Sequence, residues 1–398
     1  MVKRRTAEPS RPPKPDPAYA PAAKTAAQAL ATRVQEMHTA ISDTTFNAIR
    51  AVPGLSTPAG LVQRAHDAIA GGVYAAVRGG TAAAARLAAE AERVFRDAEK
   101  PPAGAELALL SALNAAAGDA LADTGSPLAV QMLLHARGVE LGEHTEPAAW
   151  AGLGERVAVF IHGLACDDEC WRLFADAWPD DGGDYGLRLE RELSIQPLHL
   201  RYNTGLPIAE NAAMLGARLA PLAAHAPQVR EIVLIGHSMG GLVARLACEL
   251  ADADSAWLTR VRCVICLGSP NRGAPLEKLG HFVSAALGVT QVTQPLQTLA
   301  NTRSQGVKDL RRGLPAFTRQ GPPLRLVAGS LLEAPSAGGR VVNRVLGDGL
   351  VTQRSALDER AAGDVERAEV PGLGHMALLN HPRVYALLRA WLSDAPRG

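Results

Sequence analysis

Ser238 stands between two glycines in the pentapeptide Gly-His-Ser-Met-Gly, residues 236–240. An apolar, β-branched run precedes it at 231–235, and residues of helical character follow it at 242–247. This order predicts a sharp strand–turn–helix elbow that presents the serine hydroxyl at the top of a sheet. Such a hydroxyl could act as a nucleophile, and the backbone N–H of Met239 at the helix start could stabilise an oxyanion.

A serine hydroxyl is a poor nucleophile until a base takes its proton, so the elbow needs a histidine and an acid that orients it. We predict that His375 is the base, because it lies in a Gly-flanked loop after a short strand. We predict that Asp348 is the acid, because it lies in the Gly-rich stretch Gly-Asp-Gly-Leu-Val. The resulting chain order of serine, aspartate and histidine is the one that this kind of elbow uses.

Other residues compete for these two roles. His381 begins the final helix, where capping is the simpler role, and His237 is next to the serine and is expected to pack beside the pocket. Asp358 and Asp364 are nearer to the predicted base in sequence. They lie in a charged segment that we expect to be exposed, so they are weaker candidates for the acid.

The second oxyanion donor should come from the loop after the first strand, His162-Gly163-Leu164. Gly163 lets the backbone bend so that the N–H of Leu164 can point into the site. We interpret His162 as a structural brace. The residues that follow could form a wall of the pocket: Asp167, Asp168 and Trp171.

The five cysteines do not indicate a metal site or a disulfide framework. Cys166 and Cys170 have no further His or Cys nearby at ligand spacing. Cys263 and Cys266 fall on a predicted strand, where their side chains would face opposite sides. We therefore predict no metal and no cofactor. An odd number of cysteines in apolar segments also fits a reducing, cytoplasmic compartment.

Alternating strand and helix patterns begin near residue 156 and predict a mostly parallel sheet with helices on both faces. Helices are predicted at 207–225 and 383–393. Besides the strand that leads into the elbow, strands are predicted at 156–161, 196–202, 262–267, 324–329 and 368–370.

We divide the chain into three regions by composition. Residues 1–24 are rich in Pro, Lys and Arg and are predicted to be disordered, and 25–150 form an Ala-rich helical accessory region. Residues 151–398 form the catalytic domain, with a cap or lid at 276–323, for which an outer helix pair is the alternative. The predicted accessory helices are 26–50, 58–77, 81–100 and 106–123.

Charge and hydropathy limit the partners. The formal net charge is +1, which gives no reason to expect nucleic acid. We find no secretory signal and no uninterrupted apolar span for a transmembrane helix, so a soluble protein is expected. The accessory helices leave open contact with a membrane surface and self-association into a homo-oligomer.

With these motifs the chain resembles the α/β-hydrolase superfamily, in its lipase/esterase-like branch that includes the catalytic domain of GPI inositol-deacylases. The resemblance covers about 155–395, and its other motifs are 268–274, Gly-Ser-Pro-Asn-Arg-Gly-Ala, and 374–375, Gly-His. It implies an α/β-hydrolase fold, a triad of Ser238, Asp348 and His375, and an oxyanion hole formed by the amides of Leu164 and Met239. Ser269 and Asn271 replace the Thr and His of the corresponding motif in many bacterial lipases.

The sequence thus predicts a serine esterase that forms an acyl-enzyme on a small-molecule ester or a lipid-like substrate. Two alternatives stay open. One is an acyl transferase or thioesterase that uses the same triad. The other is a binding protein that keeps the fold without catalysis.

Overall fold

The computed structural model describes residues 104–393, except 127, 143–144, 180–182, 276–303, 318–320, 334–342 and 344–345. Three groups of predictions lie outside the described residues. They are the N-terminal tail at 1–24, the helices predicted between 26 and 100, and most of the predicted cap at 276–323.

A single mixed sheet organises the described residues. Its eight strands run in the spatial order β2-β1-β4-β3-β5-β6-β7-β8. The strands are β1 Leu133–Ala136, β2 Val139–Leu141, β3 Arg156–Ile161, β4 Ile195–Arg201, β5 Glu231–His237, β6 Val261–Leu267, β7 Leu324–Ser330 and β8 Val365–Pro371.

Strands β3 to β8 pair in parallel, whereas β1 is antiparallel to both β2 and β4. Every residue of β5 is buried, as expected for a central strand covered on both faces. The carboxyl ends of parallel strands meet at one edge of the sheet. The segments after β3, β5, β6, β7 and β8 therefore begin at the same edge.

Helices cover both faces of the sheet, and each face has its own apolar core. One core includes Leu215 and Leu242, and the other includes Leu189 and Leu388. The helices are α1 Ala105–Asp123, α2 Pro147–Ala151, α3 Tyr185–Leu193, α4 Ile208–His225, α5 Met239–Leu250, α6 Gln305–Arg312, α7 Gln353–Leu357 and α8 Pro382–Ser393.

The structure confirms the predicted fold class, and all six predicted strands are present within three residues of their expected bounds. The difference lies before residue 150, where only helices were predicted. The hairpin β1–β2 extends the sheet there by pairing with β4. Strands of four and three residues are too short to show a clear alternation, so pairing with β4 determines them.

Helix α1, from the predicted accessory region, is bonded to segments of the predicted catalytic domain. The side chain of Asn203 donates to the carbonyl of Gly118 at 2.9 Å. The hydroxyl of Ser304 donates to the carbonyl of Ala115 at 2.6 Å. This helix therefore holds both the loop after β4 and the start of α6. The division of the chain into domains stays a prediction.

In the part of the chain that the structure describes, no helix is both long enough and apolar enough to span a bilayer.

Candidate active site

Ser238 lies at the end of β5 and caps the N-terminus of α5, in the predicted strand–turn–helix arrangement. Its backbone has φ 51° and ψ −119°, a left-handed region that is costly for a residue with a Cβ. Its N–H donates to the carbonyl of Leu267 at 2.9 Å, which ties the elbow to β6. Strain at a single buried serine is typical of a functional position.

The two elbow glycines are needed for close approach of the backbone. A Cβ at Gly240 would overlap the carbonyl oxygens of Ile161 and His162 at the end of β3. A Cβ at Gly236 would overlap the backbone of Gly241 in the first turn of α5. The elbow can form this close to β3 because neither glycine carries a side chain.

Asp348 and His375 are in direct contact and both side chains are buried. His375 Nδ1 and Asp348 Oδ2 are 2.8 Å apart. The backbone N–H of His375 also donates to the carbonyl of Asp348 at 2.9 Å. The acid loop thus holds the histidine through its main chain and its ring together.

The other carboxylate oxygen of Asp348 is also used. Oδ1 accepts from the backbone N–H of Leu350 at 3.0 Å and of Val351 at 2.8 Å. Burial by itself raises the pKa of Asp348, but the His375 imidazole and these two N–H groups outweigh it. The pKa of this carboxyl is therefore below its ordinary value, and Asp348 is ionised at neutral pH.

The loop after β3 passes next to the elbow. A Cβ at Gly163 would lie 3.0 Å from Ser238 Cβ and 3.1 Å from His237 Nδ1. The ring of His162 stacks on Tyr202, with centroids 4.5 Å apart. Burial lowers the pKa of His162 to about 4, so this ring is neutral at pH 7. The role of His162 as a brace stays a prediction.

Leu164 and Met239 are buried residues whose backbone N–H groups are the predicted oxyanion donors. Among the described residues, neither N–H donates a hydrogen bond to an acceptor of the protein. Buried backbone N–H groups are almost always paired. Met239 directly follows the elbow serine, and Gly163, just before Leu164, lies next to Ser238 Cβ. These two N–H groups are therefore candidates to receive the oxygen of a bound substrate.

His237 connects the elbow with the loop of His375. Its Nε2 lies 3.0 Å from the carbonyl oxygen of His375, and the two ring centroids are 4.7 Å apart. Burial lowers the pKa of His237 to about 3. The sequence did not indicate this hydrogen bond, and the predicted place of His237 beside a substrate pocket stays a prediction.

The competing residues lie in other environments. Asp358 is buried, with 2 % exposure, so the expectation that it is exposed was wrong. Its carboxylate pairs with two arginines and, among the residues that the structure describes, with no histidine. Asp364 is exposed and pairs with Arg325 at 2.8 Å. His381 precedes α8 and its Nδ1 accepts from the backbone N–H of Arg383 at 3.2 Å, a capping contact.

The predicted pocket wall has its own polar contacts. Asp168 is paired with Arg201, at 2.5 Å to Nε and 3.2 Å to Nη2. Trp171 is buried and its ring meets that of His237 edge-on at 6.4 Å. Asp167 caps the short 3₁₀ helix Asp168–Arg172 by accepting from Glu169 N–H at 2.9 Å.

The cysteines are free thiols. Cys263 and Cys266 belong to different apolar cores, which confirms that they face opposite sides of β6. Among the residues that the structure describes, no three His, Cys, Asp or Glu side chains are arranged to bind a metal ion.

Sequence reasoning missed two residues of the loop region after β4. The Tyr202 hydroxyl donates to the carbonyl of His162 at 2.8 Å. The Thr204 hydroxyl accepts from the N–H of Ala165 at 3.3 Å. A signal was available, because β4 and β3 are parallel neighbours and the residues just after each must meet at the same edge.

The described residues have the mostly parallel sheet, with helices on both faces, of an α/β-hydrolase-like fold. Residues 153–312, less than half of the chain, match the model of the family described as PGAP1-like alpha/beta domain. The chain thus resembles the GPI inositol-deacylase domain. No curated protein sequence matches the chain.

Several solved structures are similar to this chain. Lipase BlEst2 from Bacillus licheniformis, in mature form, has 20 % identity and a TM-score of 0.41, covering 66 % of this chain and 98 % of that one. A thermophilic esterase from Thermogutta terrifontis has 17 % identity and a TM-score of 0.35, covering 60 % and 90 %. A lipase-esterase related protein from Clostridium acetobutylicum has 14 % identity and a TM-score of 0.38, covering 65 % and 99 %.

Proposed function

We propose that this protein is a serine hydrolase that cleaves a carboxylic ester through an acyl-enzyme on Ser238. The observation that carries the proposal is the buried contact of 2.8 Å between His375 Nδ1 and Asp348 Oδ2. His237, the residue before the strained Ser238, bonds the carbonyl of His375, so the loop that carries this contact is connected to the elbow. A nucleophile, a base and an ionised acid that orients the base are the parts that acyl transfer from an ester requires.

Each residue has a separate task in the proposed reaction. His375 takes the proton of the Ser238 hydroxyl as its oxygen attacks the ester carbonyl. The ionised Asp348 holds the ring with its Nδ1 proton toward Oδ2 and stabilises the imidazolium that forms. The imidazolium then gives its proton to the leaving alcohol. Water attacks the acyl-enzyme in the second half, with His375 again as the base.

The unpaired N–H groups of Leu164 and Met239 are the proposed oxyanion hole. The carbonyl oxygen becomes negatively charged only as the tetrahedral intermediate forms, so donors already in place stabilise the transition state more than the ground state. Met239 is the first residue of α5, and the positive end of the helix dipole adds to its effect.

Labelling with a fluorophosphonate probe, together with turnover of a p-nitrophenyl ester series, tests the proposal. We expect wild type to be labelled at Ser238 and to hydrolyse esters. Ser238→Ala should lose the label and lower kcat by roughly 10⁶-fold while remaining folded. Folded wild type that neither reacts nor hydrolyses would favour the binding-protein alternative. Transfer of the acyl group to added alcohols or to coenzyme A would favour the acyl-transferase or thioesterase alternative.

Cytoplasmic location, membrane-surface contact and a homo-oligomer built through the region before residue 150 stay predictions. The cap function of 276–323 is likewise a prediction, because only its end, including α6, belongs to the described residues.

A further inference from the structure

The side chain of His237 contacts two of the loops around the elbow at once. Nε2 is 3.0 Å from the carbonyl oxygen of His375. On the other side of the ring, Nδ1 lies so close to Gly163 that a Cβ added to this glycine would be 3.1 Å from it. The ring therefore lies between the loop of the proposed base and the loop of the proposed oxyanion donor Leu164. Ser238 follows it directly in the chain.

The protonation state of this ring follows from its surroundings. Burial lowers the pKa of His237 to about 3, so the ring is neutral over the working range of most esterases. A carbonyl oxygen can only accept a hydrogen bond, so the ring proton must be on Nε2. Nδ1 then carries a lone pair, and among the described residues that atom is buried without a hydrogen-bond partner.

Burying Nδ1 without a hydrogen-bond partner lowers the stability of the fold, and an apolar side chain at this position would avoid that loss. The imidazole differs from an apolar side chain in offering an N–H donor at Nε2. That donor meets the one main-chain group of His375 that the acid loop does not hold. Asp348 already holds the N–H of His375 and its ring Nδ1.

We propose that His237 is a positioning residue that sets the direction of the His375 ring relative to Ser238. This proposal rests on the proposed serine hydrolase function. The main chain of the base is held on both sides, by Asp348 through its N–H and by His237 through its carbonyl. Because His237 is the neighbour of Ser238 in the chain, one residue sets the spacing between nucleophile and base.

The substitutions His237→Gln and His237→Met are a matched pair. The two side chains have similar length and volume, but only the glutamine offers an N–H donor near the position of Nε2. We expect His237→Met to lower kcat on a p-nitrophenyl ester about 10- to 100-fold, with KM within about twofold, because small misplacements of a base are costly. His237→Gln should recover at least half of that loss on a logarithmic scale.

His225→Phe is the control for the loss of a histidine ring. His225 ends α4 and its ring contacts that of Trp150 with centroids 5.6 Å apart, away from the site. We expect its kcat to remain within about twofold of wild type. Near-UV circular dichroism and thermal melting would identify the variants that fold. If His237→Met does not fold, His237→Phe replaces it as the ring without a donor.

Two results would overturn the proposal. One is a folded variant without the donor whose kcat equals that of wild type. The other is a His237→Gln variant as slow as the variant without the donor, which would assign the effect to packing alone. Fluorophosphonate labelling separates this failure from failure of the proposed function. If wild type is not labelled at Ser238, the serine hydrolase proposal fails; if it is labelled, the comparison of variants tests His237 alone.

Discussion

Two buried aspartates ten residues apart, Asp348 and Asp358, illustrate how this fold uses a carboxylate. Asp348 bonds one imidazole, at 2.8 Å, and two backbone N–H groups. Asp358 bonds two guanidinium groups, of Arg245 at 3.1 Å and of Arg360 at 2.9 Å. Both side chains are at most 3 % exposed.

The electrostatic result is similar for both residues. Burial raises the pKa of Asp358, but hydrogen bonds from Arg360 and Arg245 outweigh it. The pKa is below its ordinary value, as it is for Asp348. A low pKa therefore does not distinguish the two sites. The partner does, because arginine stays protonated at any relevant pH whereas an imidazole can take and release a proton during a reaction.

The surroundings of Asp358 also differ in function. Arg245 bonds the side chain of Asn271 at 2.5 Å and lies over the ring of Phe317, 5.1 Å from its centroid. Arg360 donates to the carbonyl of Leu314 at 3.2 Å. The cluster therefore fastens the segment after α6 to α5 and to the loop after β6. We interpret it as a structural clamp.

The largest expected effect is on Asp348. We expect Asp348→Asn to lower kcat about 10⁴-fold with little change in the free energy of unfolding. An amide nitrogen in place of Oδ2 can only donate, so the ring must present a lone pair at Nδ1 and carries its proton on Nε2. It can then no longer accept the serine proton. Steady-state kinetics and urea unfolding on the same preparation measure both quantities.

Asp358→Asn should have the opposite profile. We expect the free energy of unfolding to fall by about 3–5 kcal/mol, because Arg245 is left buried with an uncompensated charge. The kcat of the folded fraction should change less than about twofold. Asp364→Asn is the control, because Asp364 is exposed and Arg325 keeps a second carboxylate partner in Glu366 at 3.2 Å. We expect it to lower the free energy of unfolding by less than about 1 kcal/mol. Lost activity at unchanged stability in Asp358→Asn would transfer the acid role to that residue.

The smallest expected difference between variants is in the pH dependence of stability. Buried neutral His162 and His237 have pKa values of about 4 and about 3, below about 6.5 for an unfolded histidine. The stability that they contribute is present above pH 6.5 and is lost as the pH falls toward 4. The pKa values of Asp348 and Asp358 are also lowered. These two carboxylates therefore stabilise the folded state above about pH 4, and that stabilisation is lost as the pH falls further.

We therefore expect two stages in the acid limb of stability, measured by urea midpoints from pH 8 to pH 3. Asp358→Asn should make only the second stage shallower, because one carboxyl no longer takes up a proton on unfolding. A change confined to the first stage would show that the clamp and the site are not energetically separate.

Some features of the candidate site could be predicted from the sequence because they are local. The elbow at Ser238 follows from an apolar run, two glycines and a helical pattern within a few residues. The strand order along the chain placed His162, Asp348 and His375 after separate strands. The structure brings Asp348 and His375 into contact, although their roles stay a proposal.

Other features depend on contacts between distant segments and could not be seen in the sequence. Asp358 lies in a stretch with charged neighbours at 354, 359 and 360, which indicated exposure, yet it is buried by Arg245 of α5, far away in the chain. The hairpin β1–β2 was missed because its few residues become strands by pairing with β4.

The sequence by itself determined the alternating strands and helices and the elbow, because hydrophobic periodicity and glycine act over a few residues. The tertiary structure decided which aspartate meets a histidine and which meets two arginines. It also decided that His237 bonds the carbonyl of His375. Arg360 is a local partner of Asp358, but Arg245 and Asp358, like His237 and His375, are more than 100 positions apart. Asp348 and His375 lie on loops whose approach is determined only when the sheet is assembled.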